Sequence, residues 1–188
     1  MIDDKKLALF LMLGQSVERT VTATPSVAAP KSLMLSASDD LAGLLPDRVK
    51  LAHHASEAYM LFFVFEAYLR ELVVDVLSGD GSANWWDKVP QDVKDEITKL
   101  EEAEETKRWM ALGSRDKSAL MTYPQLLRVI DVGWKSGFEE IVRDKTLVNE
   151  ARAISHLRNT ICHMTDISEE EMERVRQTMR DWFRMVAP

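Results

Sequence analysis

Between Val148 and His163 the chain gathers the side chains best suited to moving protons and holding phosphate: Arg152, His156, Arg158, Asn159 and His163. Arg152, His156, Asn159 and His163 follow one another at steps of four, three and four, so on a helix they share a face. Leu147, Ile154, Leu157 and Ile161 make an apolar stripe opposite them. Histidine titrates near neutral pH and serves as base or acid. Arginine stays charged and offers a planar fork that grips two phosphate oxygens. An amide such as Asn159 orients a phosphate or fixes a ring tautomer. Arg158 flanks the polar face, about 100° round from Asn159. On an ideal helix Arg158 and His163 diverge, so a joint role asks for long reach or a change of course near Asn159. Spacing alone is equally compatible with the plain outer face of a packed helix.

The other reactive side chains are more ordinary. His53 and His54 are consecutive, as are Cys162 and His163. Helical neighbours point about 100° apart, so neither pair forms a metal clasp or a nucleophile–base couple. The two early histidines read as structural or exposed, and Cys162 as a small buried side chain. The acidic run from Glu101 to Glu105 reads as a solvated face. Glu66 has two prospective partners, Arg158 and its own i,i+4 neighbour Arg70. Arg176, Arg180 and Arg184 recur every four residues. They offer phosphate contacts, or simply complement the dipole of a helix that starts with Glu169 to Glu173.

These residues need helices to position them. Pro46 suits a first helical turn, and from there to about Leu77 apolar side chains recur at three- and four-residue steps. Within that helix the run from Tyr59 to Phe65 reads as fully packed core. Ser78-Gly-Asp-Gly-Ser82 is a turn cluster, and no strand precedes it to make a phosphate loop. Further helices are expected over 91–109, 123–130, 138–143, 146–164 and 168–186. Gly133 and Gly137 separate the helix over 123–130 from the one over 138–143, and Ser168 with Glu171 forms a capping box for the last. Asp3 or Asp4 caps a first helix to about Arg19. Thr20 to Ser38, rich in Thr, Ser, Ala and Pro, reads as a connector. The expectation is an all-α bundle of long antiparallel helices over residues 39–188, with a helical arm and connector over 1–38.

Composition supports this. Seven glycines and six prolines in 188 residues are few for the many turns of a sandwich or barrel. One cysteine excludes an intramolecular disulfide and a multi-cysteine zinc site, which points to a reducing cytoplasm. A net charge of −7 argues against coating nucleic acid or membrane by bulk charge, though not against a local basic cleft. No stretch reaches the roughly eighteen apolar residues of a membrane span. Leu7 to Leu13 faintly resembles a signal-peptide core, but Asp3 and Asp4 precede it and Glu18-Arg19 follows closely.

Arg158-Asn-Thr-Ile-Cys-His163 resembles the signature of the HEPN superfamily. That signature is an arginine, commonly followed by Asn, then a histidine after four to six intervening residues near the end of a late helix. Tyr123-Pro-Gln-Leu-Leu-Arg-Val-Ile130, Trp134 and Phe138-Glu139 look like the helices leading into this motif in the subfamily attached to PIN-type mRNA-surveillance nucleases. Glu66-Ala-Tyr-Leu-Arg-Glu-Leu72 looks like that subfamily's first long helix, and Trp85-Trp86 with Val89-Pro90 like its aromatic turn. The resemblance covers roughly residues 50 to 186.

The resemblance implies a dimerising helical bundle. In many members the Arg and His of two protomers meet in one composite site and cleave RNA without metal, often as toxins or antiviral effectors. Others are non-catalytic modules binding RNA or a protein. The expected roles are Arg158 and His163 as catalytic residues, Asn159, His156 and Glu66 in support, and Arg152, Arg176 and Arg180 on RNA. No cofactor or metal is implied. The expected partners are RNA, a second copy of the chain, and an antitoxin or nucleotidyltransferase, with no membrane.

Overall fold

The computed structural model describes residues 31–79, 84–105 and 116–186. The helix expected before Arg19 and the first part of the connector lie outside the described residues. The chain divides into two compact units, residues 1–53 and 54–188. In the first, Met34 bridges to Asp40, whose carboxylate accepts the backbone N–H groups of Leu33 and Ala42, each at 2.9 Å. Asp40 thereby caps the short helix α1, Leu41–Leu44.

Helix α2, Pro46–Ser78, is the longest element among the described residues. It ends where the Lys88 ammonium donates to the Leu77 carbonyl at 2.7 Å, a cation at the negative end of the helix. A 3₁₀ turn at Trp85–Lys88 leads to α3, Gln91–Glu105. Then come α4 (Lys117–Leu120), α5 (Tyr123–Val132), a 3₁₀ turn at Trp134–Ser136, and α6 (Phe138–Val142). Helices α7 (Lys145–Ala153), α8 (Ser155–Cys162) and α9 (Glu169–Val186) complete the chain. Beyond the isolated Met34–Asp40 bridge no β-strand occurs among the described residues, so the fold is an all-α bundle.

The core of the second unit runs from Ala58 to Trp182. Ala58, Phe62, Phe65, Leu69, Val73 and Leu77 come from α2 at helical spacing, and Met172, Val175, Met179 and Trp182 from α9. Phe65 meets the Trp182 ring edge-on with centroids 5.4 Å apart, joining those two helices. Tyr123 joins α5 to both neighbours: its ring lies edge-on to Phe62 at 5.8 Å, and its hydroxyl donates to the Ala151 carbonyl at 2.8 Å. Burial pushes that phenol far above its ordinary range, with the nearby Glu66 carboxylate adding to the effect.

Two expectations are corrected. The run from Tyr59 to Phe65 is not fully packed: Phe62 and Phe65 are buried, whereas Tyr59, Met60, Phe63 and Val64 are each more than half exposed. A helix faces the core with only part of its circumference, and a continuous apolar run puts the rest into solvent. The helix expected over 146–164 is also two helices. It breaks at Ile154, where ψ is 2° and the Leu157 N–H reaches back only three residues to the Ile154 carbonyl, at 3.0 Å. Leu147, Ile154, Leu157 and Ile161 all stay buried across the break. The bend keeps that stripe on the core.

Candidate functional site

Helix α8 carries His156, Arg158 and Asn159 and is capped by His163, and its break from α7 lies upstream of both Arg158 and His163. From Ser155 to Cys162 it is continuous, so nothing changes course at Asn159. Five helical steps separate Arg158 from His163, a divergence of roughly 140°. Arg158 turns toward α2. Its Nε and Nη2 both donate to Glu66 Oε2, each at 3.2 Å. Glu66 Oε1 accepts from Arg70 Nη2 at 3.2 Å, and Arg70 Nε is held by the Ser118 carbonyl at 2.8 Å. Glu66 thus takes both prospective partners at once. One carboxylate and two guanidinium groups leave a net single positive charge in a half-buried setting, where it is less screened than at the open surface.

This cluster lines a cleft of about 220 Å³ together with Tyr59, Phe62, Phe63, Ile161 and Cys162. Cys162, expected to be buried, is exposed here at the last turn of α8. His163 lies outside the residues that line the cleft. It is the C-cap of α8, exposed, and its backbone N–H donates to the Asn159 carbonyl at 3.0 Å. The helix ends there in a Schellman turn. Met164 takes φ 58°, its N–H reaches the Ile161 carbonyl at 2.9 Å, and the Thr165 N–H reaches the Thr160 carbonyl at 3.2 Å.

The supporting residues are spread more widely. Asn159 and His156 are exposed, and His156 Nδ1 lies 2.8 Å from the Ala153 carbonyl. Arg152, on α7, is bound to Asp131 at 3.0 Å, and Lys145 holds the same carboxylate at 2.7 Å. Those two cations keep the Asp131 carboxyl below the usual range, the Lys145 hydrogen bond contributing most. Arg176 pairs with Glu169 at 2.7 Å and Arg180 with the Glu173 carboxylate. With Arg184, these two arginines border a shallow groove floored by Leu61, Met179 and Phe183. Arg158 and Glu66 are therefore brought together, while His163, Arg152 and the arginines of α9 occupy other surfaces.

Sequence reasoning treated Arg70 only as an alternative partner for Glu66 and missed the contacts of His54 altogether. Both ring nitrogens of His54 face carboxylates: Nδ1 lies 2.7 Å from Asp166 Oδ1, and Nε2 lies 3.1 Å from Glu169 Oε2. Partners 112 and 115 residues away leave no local signal. Among the described residues, no group of three or more His, Cys, Asp or Glu side chains is disposed to hold a metal ion. No helix among them is long and apolar enough to cross a membrane.

A family model described as Swt1-like HEPN matches residues 60–187 of the chain. No curated protein and no solved structure matches it.

Proposed function

The chain belongs to the Swt1-like HEPN family, and on that premise we propose that it is a metal-independent endoribonuclease with a composite site formed across a homodimer. Family membership supports action on RNA in general, as nuclease or binder. Domains of this kind commonly dimerise.

The observation that carries the finer reading is the divergence of Arg158 and His163 within one protomer. One chain presents a guanidinium in a cleft and an imidazole outside it. A single histidine cannot be both base and acid in one event, and a twofold axis supplies two. Tyr59, Met60, Phe63 and Val64 form an exposed apolar face on α2, and Tyr59 and Phe63 also line the Arg158 cleft. A second copy docked on that face buries the patch and brings its own Arg158 and His163 to the axis.

The reaction uses the nucleophile that RNA carries. One His163 takes the proton of a 2′-OH, whose oxygen attacks the adjacent phosphorus. The bond to the 5′-oxygen breaks, and the other His163 protonates that leaving oxygen. Arg158 offsets the charge that builds on the phosphorus centre. Asn159 orients the phosphate, His156 borders the site, Glu66 holds Arg158 in place, and Arg152, Arg176 and Arg180 contact flanking phosphates. We assign residues 39–188 to this domain, with 1–38 as an appended arm and connector. The biological role is that of a cytoplasmic toxin or defence effector, restrained by an antitoxin or paired with a nucleotidyltransferase.

A second reading, a non-catalytic module binding RNA or a protein, is favoured by one fact: two nitrogens of Arg158 are already engaged by Glu66. Labelled RNAs incubated in EDTA separate the two. Cleavage leaving a 2′,3′-cyclic phosphate and a 5′-hydroxyl, and blocked by 2′-deoxy substitution at the cut site, supports the enzyme. Tight RNA binding without cleavage by a dimeric protein supports the module.

A further inference from the structure

His54 lies one α2 turn before Ala58, on the helix that also carries Glu66, and it reaches the connection that follows His163. That connection is short: His163 caps α8, and Ser168 caps α9 through its reciprocal bonds with Glu171. Between them, Ile167 is buried and Asp166 meets His54.

The pairing fixes a protonation state. A carboxylate oxygen only accepts, and a neutral imidazole has one N–H to give. With carboxylates at 2.7 Å and 3.1 Å on its two nitrogens, a neutral ring would aim a lone pair at one of them. Only the imidazolium satisfies both. The charged groups around the ring agree. From the connection comes Asp166, and from α9 come Glu169 and Arg176, the latter 2.7 Å from Glu169. From α2 itself Glu57 stands 3.7 Å from Arg176. Arg176 above all keeps Glu169 ionised. The hydrogen bond to Asp166 does most to raise the His54 pKa above the usual imidazole value, against a smaller opposing effect of burial.

We propose that His54 is the positioning residue of the His163 segment: as an imidazolium bridging Asp166 and Glu169 it fastens the connection behind His163 to α2, and loss of its proton releases that connection. The functional half of this inference rests on His163 being the proton-transfer group; the structural half does not. The sign follows from linkage. The folded-state pKa is raised, so the clasp is complete below the ordinary value of 6.5 and is lost as pH rises through the higher folded value.

The test uses the full chain, its His54→Gln variant and its His54→Lys variant, with helicity checked by circular dichroism. Imidazole ¹⁵N NMR of the parent at about pH 6, below the ordinary imidazole value, is expected to show both His54 nitrogens protonated, with a titration midpoint above the ordinary 6.5. Hydrogen exchange at the bonded amides of Met164 and Thr165 is expected to quicken about tenfold in His54→Gln, the worth of roughly one charge-assisted hydrogen bond. Lysine keeps its charge to a pKa of about 10.4. His54→Lys should therefore restore slow exchange and remove the loosening seen as pH rises in the parent. If the parent cleaves RNA, His54→Gln should lower kcat with KM little changed, and His54→Lys should extend the alkaline side of the profile. A His54 ring that is neutral at about pH 6, or equal exchange in the parent and His54→Gln at that pH, overturns the clasp whatever happens to cleavage. A verified clasp in a protein that cleaves no RNA sinks the reading of His163 instead.

Discussion

Arg158 and Glu66 are 92 positions apart in the chain, and the arginine places both Nε and Nη2 on one oxygen of the glutamate. The side chains are 25% and 15% exposed, so the pair is neither a surface ornament nor a fully buried charge. Arg70 completes the cluster from one turn further along α2. In the proposed enzyme this arrangement fixes where the guanidinium points before RNA arrives, which lowers the ordering cost at the transition state.

Glu66→Ala should therefore act twice. Two part-buried cations lose an acceptor, and chemical denaturation should report a stability loss of about 1–3 kcal/mol. Arg158, no longer anchored, should cost roughly 10²-fold in kcat through misplacement alone. Glu66→Gln, which keeps the shape and one acceptor oxygen, should fall between. Parent-like cleavage by Glu66→Ala would remove Glu66 from the positioning role.

Phe63→Asp tests the proposed dimer face. The residue is 62% exposed in the protomer, so the substitution should leave helicity intact. At a central interface position it should weaken association by roughly 2 kcal/mol or more, about thirtyfold. Light scattering across a dilution series measures this, and RNA cleavage should decline with the dimer. A parent that is strictly monomeric at micromolar concentration contradicts the composite site.

Met164 pays for the turn that ends α8. It holds φ 58° and the residue is 93% exposed, and a β-carbon in that region costs about 1 kcal/mol or more. Met164→Gly should stabilise the protein by about 1 kcal/mol, which raises Tm by about 2–4 °C for a domain of this size. An unchanged or lower Tm would mean that the Met164 side chain makes a contact worth the strain.

Much of this arrangement was legible in the residues because the signals are local. Pro46 marks the start of α2, Gly133 and Gly137 bracket the turn before α6, and Ser168 with Glu171 marks the start of α9. Each depends on neighbours within a turn or two. The break at Ile154 had no such marker. No glycine or proline stands there, and the apolar stripe runs through it unbroken, so only packing against the core decides the bend. The exposure of Cys162 and of Phe63 likewise depends on which part of each helix the rest of the bundle covers. Glu66 and Arg158 were nameable as partners from charge and family resemblance, but not the simultaneous hold on Arg70. His54 was beyond reach because its carboxylates arrive from the far end of the chain.

The most direct test of the central claim compares purified parent, His163→Ala, Arg158→Ala and His53→Ala on a labelled RNA panel in EDTA, with product ends mapped by phosphatase and kinase sensitivity. His163→Ala removes the proposed proton-transfer group and should lower cleavage roughly 10²- to 10⁴-fold. Arg158→Ala removes a preorganised charge and should lower it about 10²- to 10³-fold. Glu66 keeps Arg70 as a partner in that variant, and both proteins should remain folded. His53→Ala should cleave like the parent, and every product should carry a 2′,3′-cyclic phosphate and a 5′-hydroxyl. Cleavage that persists unchanged in His163→Ala, or a dimeric parent that cleaves no RNA, would contradict the account.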